Sequence, residues 1–153
     1  SRAVVFDKTV YESLFKGIRE EFGSAGEAIL YYQGFNVGFN AISLLEKATD
    51  SENNAELLIE LVKIYTRVLG WGIIENVKID FKGEKAKIRL NHCFECEIGK
   101  GYGKPYSQFY RGYIAGIFSK IFQKRTTVQE TKCIAKGDPH CEFNVRTINN
   151  SKP

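Results

Sequence analysis

Hydrophobic residues recur at helical spacing throughout the first half of the chain. After Asp7, a candidate N-cap, they fall three or four positions apart as far as Gly23, which predicts a helix that ends there. Ser24 and Glu27 have the spacing of a capping box and predict that a second helix begins at once and runs to Leu45. The N-terminal half is therefore predicted to be helical.

A third helix is predicted between Thr49 and Gly70. Thr49 and Glu52 repeat the capping-box spacing, and Gly70 supplies the stop. The apolar stripe of this helix, which we expect to face the core, consists of Leu57, Leu61, Tyr65 and Val68.

Beyond Gly72 the pattern changes from helical to alternating. Val77, Ile79 and Phe81 alternate with charged residues, and a turn is predicted at Gly83. After that turn a second set of apolar residues shares one parity: Ile88, Leu90, Phe94, Cys96 and Ile98. The segment is predicted to be a β-hairpin with one face in water.

The last third of the chain returns to a helix and ends in a second hairpin. A glycine-rich loop precedes a helical pattern formed by Phe109, Tyr113, Ile117 and Ile121. Two strand-like segments then flank a turn at Lys136 to Pro139. If this turn is centred on Gly137, Cys133 and Cys141 lie opposite each other, with Cβ atoms about 5 Å apart.

Two pairs of glycines are spaced four residues apart inside predicted helices. They are Gly34 and Gly38 in the second helix, and Gly112 and Gly116 in the fourth. Glycine in a helix costs about 0.5 to 1 kcal/mol relative to alanine, so a pair on one face indicates close approach of another backbone or of a ligand. Close packing is the interpretation we prefer.

These elements define an α+β fold, with an antiparallel sheet of two hairpins packed against about four α-helices. The 153 residues suit one domain, residues 1–153, and the ordinary apolar and charged fractions are those of a globular protein. No apolar run is long enough to span a membrane, and the first ten residues lack the apolar core of a signal peptide. We therefore expect a cytosolic protein without a membrane partner.

The charge pattern argues against direct nucleic-acid binding. The net charge is +4, and basic residues alternate with acidic ones along the stretch EKAKIRLNHCFECEIGK and do not gather in one block. The densest basic cluster, Lys120, Lys124 and Arg125, lies at the end of the predicted fourth helix, where cations interact favourably with the helix dipole in any case. The electrostatic footprint that phosphate contacts require is weak.

The pair Cys133 and Cys141 admits several interpretations. The residues could form a disulfide, although disulfides are rare in cytosolic proteins. They could hold Zn²⁺ together with Glu130, His140 or His92, since thiolates, imidazoles and carboxylates are the usual zinc ligands. They could also be two buried thiols that pack as small hydrophobic side chains. The residues alone leave these alternatives open.

Cys93 and Cys96 form a C-x-x-C motif, which indicates zinc or redox chemistry when it spans a tight turn or opens a helix. Here the motif falls within a strand pattern, so the two side chains are expected on opposite faces. Cys96 is then predicted to be in the core and Cys93 on the solvent side. Thioredoxin-like redox activity is not expected.

The C-terminal half resembles the 4-vinyl reductase domain family. The resemblance rests on the run YSQFYRGYIAGIFSKIF followed by VQETKCIAKGDPHCEFNV, with its G-Y-x-x-G helix, E-x-x-C strand, Gly-Asp-Pro turn and C-x-F. The stretch LGWGIIENVKI and the helices before it are also similar. The resemblance implies a small-molecule sensor domain, usually dimeric, related in fold to haem nitric oxide sensors and Golgi transport-particle subunits.

The resemblance also implies a structural zinc. In the phenol-sensing branch of the family, zinc is held by a cysteine that begins the G-Y-x-x-G helix and by three residues of the hairpin. Carried over, the hairpin ligands are Glu130, Cys133 and Cys141, but the first position is Ser107. Serine is a poor zinc ligand and is a common helix N-cap. Cys96, His92 or water could fill the fourth position.

Our first hypothesis is a cytosolic domain that binds a small hydrophobic or aromatic molecule and contains a structural zinc. Such pockets are apolar, with small residues making room. The candidate ligand-binding residues are aromatic and recur near the helical glycines: Tyr32, Phe35, Phe39, Trp71, Phe109, Tyr110 and Tyr113. A separate regulatory protein could receive the signal.

Two rival functions remain. One is a homodimeric interaction scaffold, as the resemblance to transport-particle subunits implies. The other is an accessory to tetrapyrrole vinyl reduction. Enzymatic activity is not expected, because the chain has no nucleotide-binding glycine motif and no nucleophile with a partnered base. Haem is not expected either, because neither His92 nor His140 lies in a haem-binding pattern.

Overall fold

The computed structural model describes residues 6–50 and 54–148. The elements in chain order are α1 (Lys8–Thr49), α2 (Ala55–Val68), β1 (Ile73–Asp80), β2 (Lys85–Asn91), α3 (Phe94–Ile98), α4 (Gln108–Phe122), β3 (Thr126–Lys132), a 3₁₀ turn (Ile134–Lys136) and β4 (Cys141–Thr147). No helix within these residues is long and apolar enough to cross a membrane.

The four strands form one antiparallel sheet in the order β1-β2-β4-β3. Both predicted hairpins are present, and the second strand of each lies in the middle of the sheet. Residues of alternate parity, such as Ile88 and Phe143, face the helices and are buried. The α+β class, with helices packed against an antiparallel sheet, is confirmed.

The first two predicted helices form one element with a sharp kink. Gly23 has φ 53° and ψ −129°, a conformation open to glycine but not to most other residues, so the helix changes direction where the sequence predicted a stop. Asp7 is the N-cap and accepts hydrogen bonds from Thr9 N and Val10 N. The prediction that Asp7 caps the first helix is confirmed.

The predicted start and the predicted buried face of the third helix were wrong. Thr49 is the last residue of α1, and Glu52 lies outside the described residues. The cap of α2 is Asn54, whose side chain accepts from Leu57 N at 3.1 Å. The face toward the core contains Leu58, Ile59, Val62 and Thr66. The prediction failed because α2 is apolar on two sides, and periodicity alone does not show which side is buried.

Helix α4 lies between α1 and the sheet and packs tightly against α1. A Cβ at Gly112 would overlap the carbonyl oxygen of Tyr31, and one at Gly34 would overlap that of Phe109. The backbones of the two helices therefore touch where the glycines lie. The close-packing interpretation of the glycine pairs is confirmed.

Candidate functional site

Four buried side chains from three parts of the chain meet beneath the second hairpin. The thiols of Cys96, Cys133 and Cys141 and a carboxylate oxygen of Glu130 all lie within 4.8 Å of one another. The Sγ atoms of Cys96 and Cys133 are 3.4 Å apart, and Cys96 Sγ lies 3.7 Å from Glu130 Oε1. We call these four residues the thiol cluster.

The thiol cluster could hold a metal ion, because its four donor atoms lie close enough together for tetrahedral coordination. A zinc ion about 2.3 Å from each sulfur places neighbouring ligand atoms about 3.8 Å apart. The distances in the cluster need only small side-chain adjustments to meet that geometry. All four cysteines of the chain are free and buried, so the disulfide alternative has no support in this structure.

The hairpin delivers its ligands through irregular backbone at its tip. A bulge between Glu130 and Lys132 ends the regular pairing of β3 with β4, and Cys133 leads into the 3₁₀ turn. Asp138 accepts from Cys133 N at 2.8 Å, and Gly137 has φ 106°. These contacts hold the Gly-Asp-Pro turn in a shape that directs the thiols of Cys133 and Cys141 into the thiol cluster. The predicted proximity of these two cysteines is confirmed.

The C-x-x-C motif opens a helix, so the prediction that it lies in a strand was wrong. Cys93 is the N-cap residue of α3, and Cys96 lies within that helix. Residues three apart share a helix face, and both thiols are fully buried. The expectation that Cys93 faces solvent was therefore also wrong.

Cys93 lies against the thiol cluster without belonging to it. Burial opposes ionisation, but hydrogen bonds with Cys141 and Cys96 lower the pKa of Cys93 to about 7. Hydrogen bonds from Cys133, Cys141 and Cys93 raise the pKa of Cys96. In the absence of a metal ion, the hydrogen bonds among these thiols therefore favour a thiolate at Cys93 and a protonated thiol at Cys96.

Ser107 has a role that was not anticipated from the sequence. It is the N-cap residue of α4, yet its hydroxyl donates to Glu130 Oε2 at 2.5 Å and does not cap the helix. Burial raises the pKa of Glu130 to about 7, although the bond from Ser107 opposes that rise. Ser107 therefore orients the one carboxylate of the thiol cluster.

The cap of α4 is Glu95, one of the two residues between Cys93 and Cys96. Its carboxylate accepts from Phe109 N at 3.0 Å and from Tyr110 N at 2.8 Å. Arg19 of α1 contacts the same carboxylate at 2.5 Å and also donates to Gln108 Oε1. Burial raises the pKa of Glu95 to about 7, against the effect of Arg19 and the two amides.

These contacts tie α3 to the rest of the fold. Arg19 stacks 3.8 Å from the Tyr106 ring and donates to the Tyr106 carbonyl, and its side chain is only 8% exposed. The motif C-F-E-C at residues 93–96 is therefore held by a buried ion pair to a helix more than 70 residues earlier. Neither Arg19 nor Glu95 was singled out from the sequence, although Glu95 is an acidic residue inside a C-x-x-C motif.

Neither histidine belongs to the thiol cluster. His92, predicted as an alternative ligand, has a side chain that is 73% exposed and lies 3.6 Å from Glu97. His140 is buried beside Cys141, and its Nδ1 atom has no hydrogen-bond partner among the described residues. The fourth position of the cluster is filled by Cys96.

A second candidate site is an open groove between α1 and the C-terminal end of α4. Its volume is about 670 Å³, and it includes three of the predicted ligand-binding residues, Tyr32, Phe35 and Phe39. The Phe35 and Phe39 rings are stacked, with centroids 6.2 Å apart. We call this cavity the aromatic groove.

The other four predicted aromatic residues lie in the core. Phe109, Tyr110 and Tyr113 are buried, and the cavity beside Tyr113 measures only about 20 Å³. Trp71 lines a cleft of about 190 Å³, and its Nε1 atom is buried without a partner among the described residues. Ligand pockets commonly measure 300–1,000 Å³, a range that the aromatic groove meets and these two cavities do not.

Comparison with known proteins identifies the family. The V4R domain profile matches residues 86–147, which contain the C-x-x-C motif, α4 and the second hairpin. Uncharacterized protein MJ0150 of Methanocaldococcus jannaschii is 33% identical over 137 residues, which span 88% of this chain and 74% of the relative. The relative thus extends the match well beyond the profile.

Solved structures with low sequence identity share the fold. The phenol-responsive sensory domain of the transcription activator PoxR, in complex with phenol, has a TM-score of 0.84 at 18% identity and covers 98% of this chain and 79% of its own. A trafficking protein particle complex subunit 3 from Naegleria fowleri, covalently bound to palmitic acid, has a TM-score of 0.66 at 16% identity, with 93% of each chain covered.

An H-NOX protein from S. oneidensis, in the Fe(II)NO ligation state, has a TM-score of 0.67 at 12% identity and covers 97% of this chain and 80% of its own. The predicted relation in fold to haem nitric oxide sensors and transport-particle subunits is confirmed. The profile match and the relative from Methanocaldococcus jannaschii show that the chain belongs to the V4R domain family, the 4-vinyl reductase domain family whose motifs it carries.

Proposed function

We propose that this protein is a small-molecule-binding domain whose ligand occupies the aromatic groove. The observation that supports this function best is the meeting of Tyr32, Phe35 and Phe39 in one cavity of about 670 Å³. Exposed aromatic rings that line a concave surface are typical of sites for apolar ligands. The PoxR sensory domain of similar fold was solved with phenol, which is consistent with this proposal.

The groove owes its shape to the contact between α1 and α4. The glycine pairs bring the two backbones together, so rings on α1 stand beside the last turn of α4. Phe39 is 38% exposed and Tyr32 is 57% exposed, an arrangement that leaves apolar area for a ligand to cover. Covering such area contributes about 25 cal/mol per Å².

Replacement of Phe35 by alanine should weaken binding of an aromatic ligand at least about tenfold, because one wall of the groove is removed. Ligand-induced thermal stabilisation across a panel of phenols, aryl acids and fatty acids first identifies a binder, and titration then measures its affinity for each variant. Tyr102→Ala is the control, since Tyr102 is 52% exposed and lies outside the groove. Equal losses in the two variants, or a panel without any binder, would refute the groove as the ligand site.

We further propose that zinc occupies the thiol cluster, with Cys96, Glu130, Cys133 and Cys141 as its ligands. The mutual distances, the burial and the soft donor set support this assignment. The metal would join α3 to the second hairpin, and Ser107 would orient the carboxylate ligand. This is a structural role, and it places no reaction at the metal.

A second candidate function is a homodimeric scaffold, and the observation that favours it is the outer face of α2. Leu57, Ile64 and Val68 are 40%, 60% and 78% exposed and follow one another at helical spacing. A second copy of the chain is the natural cover for this stripe, because a twofold axis can bring the same stripe of two copies together. Regulatory partners would then dock on the dimer.

The substitution Ile64→Glu should convert the dimer to a monomer, because it places a charge in the centre of the proposed interface. Sedimentation equilibrium measures the change. The control is Glu56→Lys, which also alters charge on α2 but on a different face of the helix. A wild-type protein that is monomeric at high concentration would exclude this interface.

A further inference from the structure

The aromatic groove has a second wall of opposite character. Its residues from the end of α4 and the following turn are polar or basic and include Lys120, Lys124 and Arg125. No acidic residue lines the groove among the described residues. An apolar wall therefore faces a cationic wall across one cavity.

The three cations are not equally available to a ligand. Lys120 Nζ lies 3.0 Å from a Glu46 oxygen, and Lys124 Nζ lies 2.5 Å from a Glu84 oxygen. Arg125 is exposed and forms no ion pair with any residue in the described part of the chain. Its guanidinium thus offers five unused N–H donors at the rim of the groove.

The charge of Arg125 also reaches the aromatic wall. Burial raises the pKa of Tyr31, and the charges of Arg111 and Arg125 act against that rise. Tyr31 lines the same groove and begins its aromatic wall. The cationic end and the aromatic wall are therefore close enough for a single small molecule to contact both.

We infer that the ligand of the aromatic groove is an amphiphilic acid, an aryl or alkyl carboxylate whose apolar body lies on Phe35 and Phe39 and whose carboxylate pairs with Arg125. This inference rests on the proposed function and adds the chemical class of the ligand. A guanidinium fork matches the two oxygens of a carboxylate, and such bidentate pairs are stronger than neutral hydrogen bonds. A neutral phenol or alcohol would use the aromatic wall and leave Arg125 unpaired.

The test compares two probes that differ in their polar end, 2-naphthoate and 2-naphthalenemethanol, by equilibrium titration at pH 7. We expect the wild-type protein to bind the acid at least about tenfold more tightly than the alcohol, as one charge-assisted pair predicts. In Arg125→Gln this preference should fall to about twofold or less, with the affinity for the alcohol unchanged. Arg146→Gln is the matched control, because Arg146 is also exposed, also without an ion pair among the described residues, and lies outside the groove.

The outcomes separate the two proposals. Equal affinity of the wild-type protein for acid and alcohol, with both lost in Phe35→Ala, would overturn the carboxylate assignment and leave the groove as the binding site. A preference for the acid that persists in Arg125→Gln would also overturn the assignment. Binding that is unaffected by Phe35→Ala, or absent for both probes, would refute both the carboxylate assignment and the groove.

Discussion

Removal of zinc should lower the melting temperature of this domain by roughly 8 to 16 °C. A metal present at about 1,000 times its dissociation constant stabilises the folded state by about 4 kcal/mol, and for a domain of this size each kcal/mol corresponds to about 2 to 4 °C. The thiol cluster is the expected binding site because its four donors come from α3, from β3, from β4 and from Cys133, which joins β3 to the 3₁₀ turn. Without the metal, α3 is held to the second hairpin by packing and by the hydrogen bonds of Cys96 with Glu130 and Cys133.

Calorimetry of the protein before and after dialysis against a chelator measures this shift, and native mass spectrometry counts the metal. Cys133→Ser should abolish both the bound zinc and the response to the chelator. Cys93→Ser is the matched control, because Cys93 is equally buried but lies outside the group of four donors. That variant should lose some stability and still hold one zinc per chain. A purified wild-type protein with four free thiols and no metal would contradict the proposed site.

Replacement of Gly112 by alanine should destabilise the fold by at least about 3 kcal/mol, the upper end of the usual cost of overpacking. The new methyl group would overlap the carbonyl oxygen of Tyr31, which belongs to the backbone of a helix and cannot move alone. The two helices must then separate along their whole contact. The urea concentration at the unfolding midpoint should fall accordingly.

The same substitution at Gly17 provides the control. A Cβ there would meet no atom within 4 Å, and Gly17 also lies within α1. Because alanine favours a helix over glycine by up to about 1 kcal/mol, Gly17→Ala should leave the stability unchanged or raise it. Similar losses in both variants would show that helix propensity or another general effect, and not the contact between α1 and α4, explains the result.

Helix α4 connects the two candidate sites. Its 15 residues, Gln108–Phe122, span about 22 Å; the N-cap Ser107 lies beside the thiol cluster, and Lys120 in the last turn lies at the aromatic groove. Glu95 caps its first turn, and Arg19 fixes Glu95 in place. The position of the groove wall on α4 therefore depends on the same buried network that supports the thiol cluster.

Local patterns in the sequence were sufficient for most of the fold. The alternation along β1 and β2, the helical spacing in α4 and the turn at Gly137 each depend on neighbouring residues, so one sequence shows them directly. The glycine pairs also predicted close packing, because glycine inside a helix is costly unless something needs the space. The proximity of Cys133 and Cys141 followed from hairpin geometry, whatever chemistry they perform.

Tertiary contacts decided what local patterns could not. Apolar and polar residues alternate along Phe94–Ile98 as in a strand, but the segment forms a helix. The helix brings Cys93 and Cys96 to one side and places the Glu95 carboxylate at the N-terminus of α4. α2 is apolar on two faces, so only packing against the sheet determined which face is buried. The meeting of Phe35 with Arg125 depends on the approach of α1 to α4, which joins residues 90 positions apart.

The sequence by itself therefore determined the order and type of most elements and the chemistry available at the second hairpin. The tertiary structure alone selected Cys96 over His92 as the fourth member of the thiol cluster and separated the three groove aromatics from the four in the core. The physical reason is the range of the interactions. Periodicity, caps and turns act within about four residues, whereas a metal site or a ligand groove requires side chains that only the packing of distant elements brings together.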